Sequence, residues 1–136
     1  MAIQLLFDQF HRYSDQPEDG VVIPVSLVSG GLLVTTHAAV DTGASVCLFS
    51  QETALMLGLD LERGVPKLLG TLAGPLEAFG HEVTLEALSL TVQSVVYFAR
   101  YPGLSRNLLG RQGWLRKLRL GLVDYESLVY LSRYDS

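Results

Sequence analysis

Residues 38–45 read Ala38-Ala39-Val40-Asp41-Thr42-Gly43-Ala44-Ser45, and the choice of fold turns on this run. An apolar strand-like segment ends in an acid, a hydroxyl, a glycine and two small residues. A carboxylate there can take a proton from water. Gly43 lets the backbone turn tightly and bring its N–H toward the acid. Thr42 has a hydroxyl that can bond to a neighbouring backbone and lock the loop, and Ser45 has one that can donate to the outer carboxylate oxygen. Val40 and Val46 flank the group with apolar surface and lower the local dielectric. Ser45 as a nucleophile would need a base. His37 shares a strand face with Ala39 and Asp41, but four strand residues span about 13 Å, too far for contact. His37 is therefore expected at the surface or packed.

Working outward, residues 21–28 are β-branched and apolar, with Pro24 predicting an edge position or a bulge. Gly30-Gly31 predicts a hairpin turn, with residues 32–40 as the returning strand. Farther upstream, Ile3, Leu5 and Phe7 alternate with Gln4, Leu6 and Asp8, which predicts a leading strand. Residues 14–20 predict a mobile polar loop. The organisation expected is thus an N-terminal strand and loop over 1–20 and one domain over 21–136. Leu5, Phe7 and Phe10 are expected at or near a contact between chains.

Downstream, Ser50 predicts the cap of a helix over 51–57, stopped by Gly58. Residues 67–72 and 76–85 flank Ala73-Gly74-Pro75 as a hairpin. The alternation shifts phase near Leu88, where Leu88, Leu90 and Val92 take over from Val83, Leu85 and Ala87, so a bulge or turn belongs there. Asn107-Leu108-Leu109-Gly110 precedes a second short helix over 112–118, with Trp114, Leu115 and Leu118 as core. Residues 119–123 and 128–131 pair around a turn at 124–127.

Composition sets the bounds. Of 136 residues 49% are apolar and 18% charged, which argues for a packed domain and against disorder. The net charge of −4, with no long basic stripe, argues against a nucleic-acid partner. Cys47 is the single cysteine, so no internal disulfide forms, and its apolar neighbours make it a small buried hydrophobe. No Cys/His spacing suits a metal, and no cofactor is implied. The first ten residues do not read as a signal peptide, and no apolar run is long enough to span a bilayer. A cytoplasmic location is the expectation.

Val40-Asp41-Thr42-Gly43-Ala44-Ser45 resembles the active-site signature of the aspartic proteases. The following order strengthens the resemblance: a helix, a glycine-rich hairpin at 70–74, long strands, and then Arg106-Asn107-Leu108-Leu109-Gly110-Arg111, similar to the second family signature. The resemblance spans most of 21–131 and fits the single-domain, retropepsin-like members of bacterial type. It implies a mostly β closed barrel with two short helices, working as a homodimer. It further implies an aspartic endopeptidase with Asp41 as the catalytic carboxylate and Thr42, Gly43, Ala44 and Ser45 supporting it. Thr71, Leu72, Ala73 and Gly74 match the substrate-binding flap, while Gly110 and Arg111 match a structural brace, with Arg111 bonding to an acid. Pro75 departs from the family pattern by stiffening the flap.

Aspartic-protease chemistry needs two carboxylates sharing one proton. Only one Asp-Thr-Gly occurs in the chain. The second acid is therefore expected from another copy across a twofold axis. The substrate expected is a polypeptide, with no nucleic acid and no membrane involved. The competing reading is a catalytically silent peptide-binding or dimerisation module on the same fold.

Overall fold

The computed structural model describes residues 1–135. The chain builds β1 (Gln9–Arg12), β2 (Val22–Ser29), β3 (Leu32–Val40), β4 (Leu48–Phe49) and helix α1 (Gln51–Met56). It continues with β5 (Val65–Thr71), β6 (Gly74–Ala87), β7 (Leu90–Ala99), β8 (Leu108–Leu109), β9 (Leu118–Val123) and β10 (Leu128–Arg133). Seven strands form one sheet in the order β2-β3-β8-β4-β7-β6-β5. An added pairing of β2 with β6 closes that sheet into a ring, leaving β5 outside it. The molecule is mostly β, with few and short helices, as expected from the sequence.

Alternation explains the ring. In β2, Ile23, Val25 and Leu27 point inward and are fully or nearly fully buried, while Pro24 between them is exposed. Pro24 pairs with His37 of β3, whereas β6 reaches β2 only at Ser26, Leu27 and Val28. The proline thus occupies the unpaired side of β2, where a missing N–H costs nothing. Phe49, Phe98, Leu85, Val96 and Trp114 fill the interior. Each such side chain contributes about 1.5–3 kcal/mol of burial relative to exposure.

The local turn chemistry agrees with the sequence. Ser50 caps α1, its Oγ accepting the Thr53 N–H at 3.2 Å. Gly58 follows with φ of 71°. The phase shift near Leu88 is a two-residue turn between β6 and β7, with φ of 50° at Leu88 and 71° at Ser89.

Three expectations are corrected. The leading strand is Gln9–Arg12 rather than residues 3–8, because its register is set by pairing with β10, Phe10 opposite Tyr130. The second helix at 112–118 is one 3₁₀ turn, Leu115–Lys117. Gly113 breaks it with φ of 100°, since a Cβ there would stand 2.8 Å from Ser94 Oγ. The hairpin between β5 and β6 turns at Leu72 and Ala73, so Gly74 and Pro75 already belong to β6.

β1, β10 and β9 make a separate three-stranded sheet. Phe7 lies against Gly121 and Tyr130, whereas Ile3, Leu5 and Leu6 are exposed. No helix among the described residues is long and apolar enough to cross a membrane.

Candidate active site

Asp41 stands directly after β3, with its backbone N–H still bonded to Leu109 O of β8. β8 lies between β3 and β4, parallel to the first and antiparallel to the second. The loop 41–47 leaves β3 on one side of β8 and re-enters the sheet as β4 on the other. A strand pair opened in this way leaves the connecting backbone exposed at the carboxyl end of β3, which is where the acid sits.

The loop is held by backbone bonds more than by its side chains. The Asp41 N–H donates to Leu109 O at 2.9 Å, and the Ala44 N–H donates to Asp41 O at 3.2 Å. From the other side, the Arg111 and Gln112 N–H groups donate to Ala44 O and Ser45 O, each at 2.9 Å. The Asp41 carboxylate accepts the Gly43 N–H through Oδ1 at 2.9 Å. That bond fixes the side chain against its own loop and is the carboxylate's one hydrogen bond within the described residues. The second oxygen is left for an outside group.

Gly110 makes the close approach possible. A Cβ on it would fall 2.1 Å from Val46 O and 2.8 Å from Ala44 O. Only glycine lets the strand β8 lie that near the loop. Cys47 closes the contact from inside. Its Sγ accepts the Gly110 N–H at 3.4 Å and lies 3.7 Å from Gln112 O. Burial pushes the Cys47 thiol up to about 11, which the Gly110 N–H partly offsets. The thiol is therefore a packing group, as its neighbours in sequence predict.

Asn107, given no role in the sequence reading, is the other anchor. Its Oδ1 accepts the Ser50 N–H at 3.0 Å, and its Nδ2 donates to His37 O at 2.9 Å. One amide thus ties α1 to β3 beside the acid. The signal was its place just before Leu108-Leu109-Gly110, where a polar residue at a strand opening demands a partner.

The expected site residues fall as follows. Asp41 and Ala44 are half-buried, while Thr42, Gly43 and Ser45 are exposed. The Thr42 and Ser45 hydroxyls meet no partner among the described residues, so the bond expected from Ser45 to the carboxylate is supplied by Gly43 instead. Gly110 and Arg111 brace the loop through the backbone. The Arg111 guanidinium is exposed and forms no ion pair among the described residues.

Thr71, Leu72, Ala73 and Gly74 sit together at the tip of the β5–β6 hairpin, and Thr71 Oγ1 donates to Gly74 O at 2.5 Å. Beyond Glu77, whose carbonyl accepts the Arg100 N–H at 2.9 Å, β6 has only β5 beside it. The tip therefore stands clear of the barrel, with Leu72 110% exposed. Beneath it lies a groove of about 800 Å³, walled by Leu48, Leu68, Leu72, Leu76, Leu104 and Leu108. Asp41 does not line that groove within one chain. Among the described residues no three His, Cys, Asp or Glu side chains come together in a way that would hold a metal.

No curated protein matches the chain. The family model described as aspartyl protease matches residues 23–113, the stretch that runs from β2 through Asp41, the hairpin and Gly110 to Gly113. The acid after β3, the glycine-dependent loop behind it and the projecting hairpin all lie inside that match, and the chain belongs to the aspartyl protease family.

Proposed function

We propose that the chain is an aspartic endopeptidase, assembled as a homodimer in which two copies of Asp41 meet across a twofold axis. The observation that supports this most is the state of Asp41 in one chain. It is backed by a loop bonded to Leu109, Arg111 and Gln112, accepts one hydrogen bond among the described residues, from Gly43, and belongs to the chain's single Asp-Thr-Gly. An isologous contact would bring the same residue in twice. Two carboxylates a few ångströms apart cannot both ionise, so the pair keeps one proton.

The ionised member takes a proton from a bound water as that water attacks the scissile carbonyl. The protonated member donates to the carbonyl oxygen, and the leaving nitrogen is protonated as the tetrahedral centre collapses. No covalent intermediate forms. Thr42 and Ser45, exposed and with hydroxyls that meet no partner among the described residues, are available to bond across the axis, with Gly43 and Ala44 fixing the turn and Gly110 and Arg111 bracing it. The tip formed by Thr71, Leu72, Ala73 and Gly74 closes over an extended peptide and excludes water. A cytoplasmic setting suits the single buried Cys47.

The test is direct. Purified protein is incubated with unstructured peptides from roughly pH 3 to 7, the range in which carboxylate pairs titrate, with and without an inhibitor that mimics the tetrahedral intermediate. Cleavage that the inhibitor stops and that Asp41→Ala abolishes is the expected result. Cleavage that survives Asp41→Ala sinks the mechanism, and the absence of cleavage at every pH favours a silent peptide-binding module.

A further inference from the structure

The groove under the hairpin tip does not end at the hairpin. Its wall at Leu104, Ser105 and Arg106 is shared with a second cavity of about 340 Å³. That cavity shares Val22, His37 and Arg106 with a third, of about 500 Å³. Arg106 thus borders all three, and the lining changes character from one to the next. The first is apolar, with one cation, Arg106, and one acid, Glu77, which is already paired with Arg100 at 3.3 Å. The middle one contains Glu52 as well as Arg106. The third collects His11 and Arg12 from β1, His37 from β3 and Arg106 from the segment before β8, against one carboxylate, Asp19.

The two guanidiniums at this far end are held by carbonyl oxygens rather than by carboxylates. Arg106 Nη2 donates to the Asp19 carbonyl at 2.9 Å, and Arg12 Nη1 donates to the Glu126 carbonyl at 2.7 Å. Both guanidiniums are thus oriented by carbonyl oxygens, and neither forms an ion pair among the described residues. The Asp19 carboxylate accepts the Ser14 hydroxyl at 2.7 Å. In a chain of net charge −4, two guanidiniums against the single Asp19 carboxylate leave this end of the apolar track locally positive.

From this we infer that the preferred peptide is apolar where it crosses the hairpin groove and carries an acidic residue, aspartate or glutamate, that reaches Arg106 and Arg12. An extended strand lying along the groove would pass Leu104 and Ser105 and deliver its next side chains to the cationic pocket. A guanidinium held in place by a carbonyl is preorganised for a carboxylate. Selectivity thus comes from a charge set away from the reacting bond. The inference rests on the peptide-cleaving reading for its context, but binding alone tests it.

Peptides of one apolar core, with a single glutamate placed in turn at each flanking position and a glutamine-substituted control for each, are titrated into full-length Asp41→Asn protein by fluorescence anisotropy. The same set is given to the unmodified protein and scored for cleavage. The expected result is one register in which glutamate binds about tenfold more tightly than glutamine. Arg106→Gln should erase that difference, and Arg106→Glu should transfer the preference to a lysine-bearing peptide, a gain that a merely loosened loop would not produce. Equal binding of glutamate and glutamine in every register, or a preference that survives Arg106→Gln combined with Arg12→Gln, overturns the inference. Cleavage indifferent to glutamate overturns it too while leaving the protease reading intact. A glutamate preference in binding with every peptide left uncut does the opposite.

Discussion

The loop that presents Asp41 and the hairpin tip at Leu72 are both short, solvent-facing connections, yet they are built in opposite ways. The loop is bonded from both sides by another element. Three backbone bonds, to Leu109 and from Arg111 and Gln112, add to the loop's own Ala44-to-Asp41 bond, and a glycine contact too close for any side chain joins them. The hairpin holds only to itself. Its tip has one partner strand, an internal Thr71-to-Gly74 bond, and no core behind it. On the proposed function, the tightly bonded segment is the one that would aim the acid, and the less supported one is the one that would cover the substrate.

If the loop exists to aim Asp41, the largest effect follows from altering that one group. Asp41→Asn should lower peptide cleavage by about a thousandfold or more, as loss of the general acid–base pair does. Its unfolding free energy should stay within about 1 kcal/mol of the parent, because the side chain is half-exposed and makes one bond. Steady-state kinetics beside a urea titration separates the two, and a large loss of stability would mean that Asp41 is a structural turn residue. Next comes the contact behind it. Gly110→Ala forces a methyl group to within 2.1 Å of Val46 O, so the strand or the loop must move. The expected loss is about 3 kcal/mol or more, read as a lower denaturation midpoint with an unchanged slope. A neutral outcome would mean the loop is softer than its bonds indicate.

Asn107→Ala should cost about 2 kcal/mol, since it strands the Ser50 N–H and His37 O that its amide satisfies. The smallest effect on stability belongs to the tip. Leu72→Cys should leave unfolding within about 0.5 kcal/mol of the parent. The new thiol should react with a disulfide reagent at the rate of a free cysteine. Cys47, fully buried and with its thiol pushed up to about 11, should react about a thousandfold more slowly or only on unfolding. Comparable rates at the two positions would erase the contrast between loop and hairpin.

Much of this was legible in the chain. Asp41-Thr42-Gly43 marks the acid, Ser50 and Gly58 bracket the helix, and the change of phase at Leu88 locates the turn. These are local signals, because capping, turn chemistry and period-two burial act over a few residues. The hairpin tip was missed by two residues, a local error of boundary; three other misses share one cause. The strand at Gln9–Arg12, the broken helix near Gly113 and the anchoring by Asn107 depend on what lies opposite, namely β10, Ser94, Ser50 and His37. Local propensity gives no information on such partners.

By itself, then, the order of residues settled that an acid would follow an apolar strand, that a glycine would stand beside it, and that a second glycine would follow two leucines some way downstream. Those choices are written in residue type, because only aspartate brings a carboxylate to that run and only glycine lacks a Cβ. Tertiary structure decided the rest: that Gly110 presses on Val46, that Gly43 rather than Ser45 holds the carboxylate, and that Arg106 joins an apolar groove to a cationic pocket. Each of these joins residues far apart in the chain or chooses among near neighbours by the path of the backbone, and such contacts exist only once the sheet has closed on itself.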